Sequence, residues 1–374
     1  SFSMSTRSLQ TRDLATENLK ILGRSEELSQ LLEFYKDPHT KMVTVVGPSG
    51  VGKSVVAQQL KESVDGVVCS GKFDVQNRAD PYQAFGEAIG SFVAQVLSDK
   101  ERCGQLGTLL NETIGEEMDI LKELVPSISK LLKQPKHEEQ QETLDVSESG
   151  RKRLSVLQAV KEENEVASSG RGDSKMKKQK AADRSITERA ARIQNVLVEF
   201  VKLASTEEYP MTMLLDDIQW AGSASLGLIE ALLEDDQIEH FFLLATCRDK
   251  YLRETNDNSP TDSGSTETEK QFSFSMGDSR SSIEKPYPEL IELLNRYSQQ
   301  SVKLVLQPLS LDSVQEIINI LLRMPEENKT RELSKIIHQK TAGNPFFVLQ
   351  FMNVLVDDNL LTFDAVNFEW SWQE

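Results

Sequence analysis

Eight consecutive residues carry the strongest chemical signal in the chain: Gly47-Pro48-Ser49-Gly50-Val51-Gly52-Lys53-Ser54. Three glycines let the backbone curl with its N–H groups turned inward, and a Lys-Ser pair follows at once. A loop of this kind cradles phosphate oxygens. Its N–H groups and the helix N-terminus behind it face negative charge, the lysine ammonium reaches the outer phosphates, and the serine hydroxyl can ligate Mg²⁺. The spacing is G-x-x-x-x-G-K-[ST], and both flanks fit: the apolar, β-branched run Met42–Val46 precedes it and a helical pattern, Val55–Leu60, follows. A chance glycine-rich turn would require neither flank. The ligand class is a nucleoside triphosphate with Mg²⁺, and the binding residues are Gly47, Pro48, Ser49, Gly50, Val51, Gly52, Lys53, Ser54 and Val55.

Such a loop needs an acidic partner for the metal. Met211-Thr212-Met213-Leu214-Leu215-Asp216-Asp217 is an apolar run of strand length that ends in two carboxylates. Asp216 would hold Mg²⁺ together with Ser54, and Asp217, one residue on, would orient or deprotonate an attacking water. On its own this is a strand ending in a polar turn; beside the phosphate loop the paired reading prevails. Phe241–Ala245 runs into Thr246-Cys247-Arg248-Asp249. Two readings of Arg248 stand level: a fixed cation sensing the γ-phosphate, or a surface ion pair with Asp249. The catalytic candidates are therefore Lys53, Asp217 and Arg248. Arg296 reads as a solvated arginine rather than one reaching a neighbouring subunit's nucleotide.

These tips must be held by a sheet. Met42–Val46, Val67–Phe73, Met211–Leu215, Phe241–Ala245 and Val302–Leu306 have strand length, and helical spacing appears between them, as in Phe85, Ile89, Phe92, Val93 and Val96 and in Ile193, Val196, Leu197, Phe200 and Val201. Strands alternating with helices predict an α/β fold: a three-layer core with a parallel sheet. From Leu311 the periodicity is helical only, which predicts a smaller C-terminal helical lid, and Leu360–Trp372 alternates as the start of a hairpin. The expected division is a linker over 1–20, a core over 21–306, and over 307–374 the lid with the start of a truncated subdomain. Two polar stretches, 134–184 and 253–285, are poor in aliphatic residues and are expected as disordered inserts in surface loops. A lysine cluster at Lys175–Lys180 reads as part of a solvated linker.

Composition narrows the function classes. Hydrophobic residues make up 38% and charged residues 27%, and no apolar run approaches the roughly 20 residues that span a bilayer. No membrane association is expected. The formal net charge of −17 opposes a nucleic-acid face, which needs clustered Lys and Arg. Three widely spaced cysteines, Cys69, Cys103 and Cys247, make no metal pattern and fit a reducing, cytoplasmic setting. Ser1–Gln10 has no apolar signal region, and neither end reads as a finished terminus, so the chain is expected to be a piece of something longer.

Further residues carry a family resemblance. Ile21-Leu22-Gly23-Arg24-Ser25-Glu26-Glu27-Leu28 resembles the opening of AAA-type P-loop ATPases of the STAND class, the signal-transduction ATPases with numerous domains. Leu214-Leu215-Asp216-Asp217-Ile218-Gln219-Trp220 looks like the Walker B run of that branch. Gly71-Lys72-Phe73-Asp74, Asp80-Pro81-Tyr82, Gln307-Pro308-Leu309-Ser310 and Gly343-Asn344-Pro345-Phe346-Phe347 recur in the same order. The resemblance runs from about Leu22 to Trp372 and implies ATP or ADP as the nucleotide. It places Leu22, Gly23 and Arg24 against the adenine, with Pro345 near it. It also implies a regulatory switch whose partners are fused output domains such as a kinase or cyclase, with nucleotide-dependent self-association. Two departures bear on turnover. Gly222 stands where relatives carry Asp, and Asp217 replaces the Glu of motor-type members, so slow hydrolysis is expected. The rivals are a non-hydrolysing nucleotide-dependent scaffold and an origin-recognition-like DNA-associated ATPase.

Overall fold

The computed structural model describes residues 23–75, 80–132, 172–252, 288–324, 327–364 and 369–372, with the backbone alone for 172–187, 327–328, 364 and 369. Five strands, β1 (Met42–Val46), β2 (Val67–Lys72), β3 (Met211–Asp216), β4 (Phe241–Cys247) and β5 (Ser301–Val305), form one parallel sheet in the order β2-β3-β4-β1-β5. β1 and β4 are buried along their whole length, as strands covered on both faces must be, and that is why they read as unbroken apolar runs. β5, at the edge, buries Ser301 and Leu304 but exposes Lys303 and Val305, as a strand open on one side can. Met42 lies between Leu243 and Ser301, and Val46 between Cys247 and Val305, so β1 ends with a neighbour on either side. Flanking helices complete the expected α/β core.

By compactness the chain divides into two units that differ from the expected core and lid. The first takes in residues 1–65, 214–220 and 242–374. Its described helices are α1 (Ser25–Lys36), α2 (Lys53–Ser63) and, after β4, α9 (Pro288–Arg296), α10 (Leu311–Leu321), α11 (Glu327–Thr341) and α12 (Pro345–Asp357). Val314, Ile318, Ile337, Val348, Met352 and Val356 bring the last three together in one buried cluster, joined by Leu361 and Trp370. Those two belong to an antiparallel hairpin, β6 (Leu361–Asp364) with β7 (Glu369–Trp372).

The second unit takes in residues 66–213 and 221–241. It holds α3 (Gln83–Val96), α4 (Lys100–Ile114), α5 (Met118–Leu124), α6 (Ile128–Leu131), α7 (Gly172–Ala204) and α8 (Ser223–Glu234). Its core centres on Phe92 and Phe200, fully buried and edge-to-face at 5.7 Å. Arg102 closes the C-terminal end of α7 by donating from Nη2 to the Ala204 carbonyl at 3.2 Å, with its guanidinium 4.1 Å from the Tyr209 ring centroid. A cation at the negative end of a helix is stabilising. One expectation is corrected here. α7 begins at Gly172, so residues 172–184 of the stretch read as a loop insert are helical. That segment lacks aliphatics but is rich in Lys, Gln, Ala, Arg and Met, which favour helix without needing a core. Residues 134–171 and 253–285, the linker 1–20 and Leu22 lie outside the described residues.

Candidate functional site

All the described candidate residues lie in the first unit. β1 stops at Val46 and the chain turns through Gly47–Gly52 into α2, which starts at Lys53, two residues before the expected Val55. The turn needs left-handed backbone at Gly50 (φ 78) and Gly52 (φ 104), which only glycine adopts without strain. Gly52 occupies the N-cap and supplies no side-chain acceptor. The first N–H groups of α2 therefore lack both an intrahelical partner and a capping side chain, leaving a positive helix end open to an anion. Lys53 is only 9% exposed, and its Nζ donates to the carbonyls of Gly47 and Pro48, each at 2.9 Å. Burial holds its pKa below the ordinary lysine range; Asp217 and Asp216 oppose that shift and Arg248 adds to it. A buried ammonium resting on two neutral carbonyls, beside an uncapped helix end, fits a phosphate group.

Because β4 lies between β1 and β3, its tip separates the phosphate loop from the carboxylates. Thr246, 3% exposed, makes the junction. Its Oγ1 donates to Asp216 Oδ1 at 2.5 Å and accepts from the Asp217 N–H at 3.0 Å. Asp217 leaves the strand in left-handed backbone (φ 57), which turns its side chain away from the strand alternation. Gln219, 2% exposed, grips it: Nε2 donates to Asp217 Oδ1 at 2.7 Å, while Oε1 accepts from the Arg248 N–H at 3.2 Å. The Arg248 Nε stands 3.9 Å from Asp217 Oδ1. This ion pair links Arg248 to the second carboxylate of the pair. Burial pushes the neighbouring Cys247 thiol up to about 12. Arg296 pairs with Glu292 on the exposed face of α9.

Arg24, 4% exposed, reaches the loop from the other side. Nη2 donates to the Val51 carbonyl at 2.8 Å and Nη1 pairs with Glu27 at 2.5 Å, so the Gly-Arg-x-x-Glu spacing forms a local brace on the phosphate loop. Gly23 lies against Leu309 and Ser313. On the crown of the loop sits the corner that opens α12. Asn344 caps that helix by accepting from the Phe346 N–H at 3.1 Å, and its Nδ2 donates to the Ser49 carbonyl at 2.9 Å. The Phe346 N–H also reaches the Gly50 carbonyl at 3.3 Å. Pro345 takes the first helical position, where its missing N–H is not needed.

The structure thus brings Gly47–Val55, Asp216, Asp217, Arg248, Arg24 and Pro345 into one unit. Three partners went unnoticed in the sequence: Thr246, Gln219 and the Asn344–Ser49 bond. A polar residue closing an otherwise apolar strand was the available sign for Thr246; the sequence held no comparable sign of the Asn344 contact. Ser54, second in α2, and Asp216, last in β3, carry oxygens that could ligate Mg²⁺. Among the described residues no three His, Cys, Asp or Glu cluster as a metal cage. A phosphate-borne Mg²⁺ needs none, since it takes one or two protein oxygens, phosphate oxygens and water.

A glycine loop between a strand and an uncapped helix, on a five-stranded parallel sheet with flanking helices, is the fold of a P-loop nucleotide-binding domain. Residues 20–244 match the AAA ATPase domain family, and the chain belongs to that family. A stretch of 73 residues, 19% of the chain, is 36% identical to hybrid signal transduction histidine kinase G of Dictyostelium discoideum. The match spans 2% of that protein's length. Among the described residues, no helix is long and apolar enough to cross a membrane.

Proposed function

We propose that this chain is an ATP-binding, slowly hydrolysing regulatory switch within a larger intracellular signalling protein. The observation that carries the reading is the α12 corner resting on the phosphate loop. Asn344 and Phe346 bond the carbonyls of Ser49 and Gly50, so the residues that would cradle phosphate also hold the C-terminal helices. A nucleotide that reshapes the loop changes those bonds, and a ligand with different contacts in two states shifts their populations. The STAND resemblance and the similarity to part of a histidine kinase named for signal transduction support fused output domains as partners.

In this reading Lys53 leaves the Gly47 and Pro48 carbonyls to hold the outer phosphates, and the loop N–H groups surround the rest. Ser54 and Asp216 would hold Mg²⁺, which would neutralise phosphate charge. Asp217 takes a proton from water as the water oxygen bonds the γ-phosphorus. The bond from that phosphorus to the β–γ bridging oxygen breaks, and ADP and phosphate leave. Arg248 stabilises the charge that gathers on the γ-phosphoryl oxygens.

The test is a set of three variants, measured for binding of a fluorescent ATP analogue and for phosphate release. Lys53→Ala should weaken binding at least a hundredfold. Asp217→Asn should bind normally and fall to a slow residual rate of phosphate release, and Asp216→Ala should lose the Mg²⁺ dependence of binding. Wild-type affinity in the Lys53 variant would remove the loop from the reading. Binding without turnover in the unaltered chain would leave the nucleotide as a scaffold element.

A further inference from the structure

Gln219 is fully inside the protein, and both ends of its amide are used on residues of the site. Its Nε2 meets the carboxylate of Asp217 at 2.7 Å, and its Oε1 meets the backbone N–H of Arg248 at 3.2 Å. The amide therefore ties the end of β3 to the end of β4, in addition to the junction already made by Thr246. Asp217 depends on such ties because its left-handed backbone points its side chain where strand geometry would not. The Arg248 Nε, at 3.9 Å, supplies charge but no tight hydrogen bond. Gln219 itself follows Asp217 within the short 3₁₀ turn Ile218–Trp220. Ile218, wholly buried, anchors that turn.

We infer that Gln219 is the positioning residue for Asp217, fixing the carboxylate that handles the attacking water and setting its distance from Arg248. This rests on the proposed hydrolysis by Asp217. Gln219 touches neither water nor phosphate in this role; it acts through Asp217. A neutral amide suits the task for a chemical reason. It donates to the carboxylate without neutralising it, whereas a lysine or arginine here would form an ion pair and hold the base too tightly. Its second arm makes any drift of Asp217 also a drift of the Arg248 backbone, so base and sensor keep their spacing.

The test is a double-mutant cycle on the 374-residue chain, with ATP dissociation constants and single-turnover phosphate release measured for each protein. Gln219→Leu removes both bonds at similar volume, and Gln219→Glu keeps the acceptor for Arg248 but replaces the donor with a like charge. A catalytic group displaced by about 1 Å loses on the order of a hundredfold in rate. Both variants should therefore release phosphate roughly ten- to a hundredfold more slowly than the unaltered chain, with ATP affinity changed less than about threefold. In an Asp217→Asn background, Gln219→Leu should cause no further loss, because a residue that acts through another has nothing left to position. An equal fractional loss in both backgrounds would mean general destabilisation and overturn the role. Unchanged or faster turnover in the single variants would overturn it as well, the latter making Gln219 a restraint. An unaltered chain that binds ATP without turning it over overturns the hydrolysis reading and this inference together; turnover that ignores Gln219 overturns the inference alone.

Discussion

Gly50 is where the phosphate loop and the α12 corner come closest, and the substitution Gly50→Ala separates two energetic contributions there. An added Cβ would stand 2.7 Å from the Phe346 Cβ and 3.0 Å from Asn344 Oδ1. Ordinary carbon contact begins at about 3.5 Å, so the corner must retreat by about 0.8 Å. That retreat lengthens the Asn344 Nδ2–Ser49 bond from 2.9 Å and the Phe346 N–Gly50 bond from 3.3 Å beyond useful hydrogen-bond range. Each bond contributes about 1 kcal/mol net. The substitution thus shifts the docked-to-undocked equilibrium by about 2 kcal/mol, close to thirtyfold. The left-handed backbone of Gly50 (φ 78) adds about 1–2 kcal/mol of strain for alanine. That strain belongs to the loop whether or not the corner is docked, so it lowers stability without moving the equilibrium. The assay is a distance distribution between spin labels at Gln58 on α2 and Glu316 on α10, both exposed and both in the first unit. Gly50→Ala should broaden and lengthen the distribution. Asn344→Ala, which removes one bond and the helix cap without crowding, should do so more weakly. An unchanged distribution in Gly50→Ala would refute the docking energetics.

Three further outcomes are expected. Since burial depresses the Lys53 pKa and bound phosphate would raise it, ATP affinity should be full below the depressed value. It should fall as pH rises from there towards the ordinary lysine value of about 10.4. Calorimetry in two buffers of different ionisation enthalpy, at a pH between the depressed and the ordinary lysine values, should show proton uptake on binding, absent in Lys53→Arg. Arg24→Ala loses the bond to the Val51 carbonyl and strands Glu27, so urea unfolding should show about 2 kcal/mol lower stability, with Gln30→Ala as an exposed control in the same helix. Phe200→Ala empties the core of the second unit beside Phe92, and the urea midpoint should drop by the equivalent of about 3–5 kcal/mol.

Motifs whose parts are neighbours in sequence were legible; contacts whose parts are distant were not. Met42–Val46, the loop and the strand ending at Asp216 could be placed because strand, glycines and helix follow one another in sequence and each imposes its own residue types. The position of β4 between β1 and β3 has no local signature, so the task of Thr246 stayed hidden although the residue itself was in view. Arg24 was read by resemblance as an adenine contact, and its bond to Val51 crosses 27 residues that no periodicity connects. The α4–α6 region, residues 100–131, gave no clear reading because two interior glycines, Gly104 and Gly107, dilute the apolar spacing of α4, while α5 and α6 are too short to display a period. Residues 172–184 misled because a helix can be built from propensity alone.

The three cysteines differ enough in setting to serve as an internal reporter. Cys69 and Cys247 are buried and Cys103 is half-buried. Electrophiles capture the thiolate, and a thiol held at about 12 is almost never ionised at neutral pH. A maleimide or iodoacetamide pulse should therefore mark Cys103 first and leave Cys247 silent for as long as β4 keeps its end closed. The rate at which Cys247 becomes alkylated then counts the openings of that strand end in the native chain, without any engineered label. Comparing that rate with and without nucleotide would time the site's breathing directly.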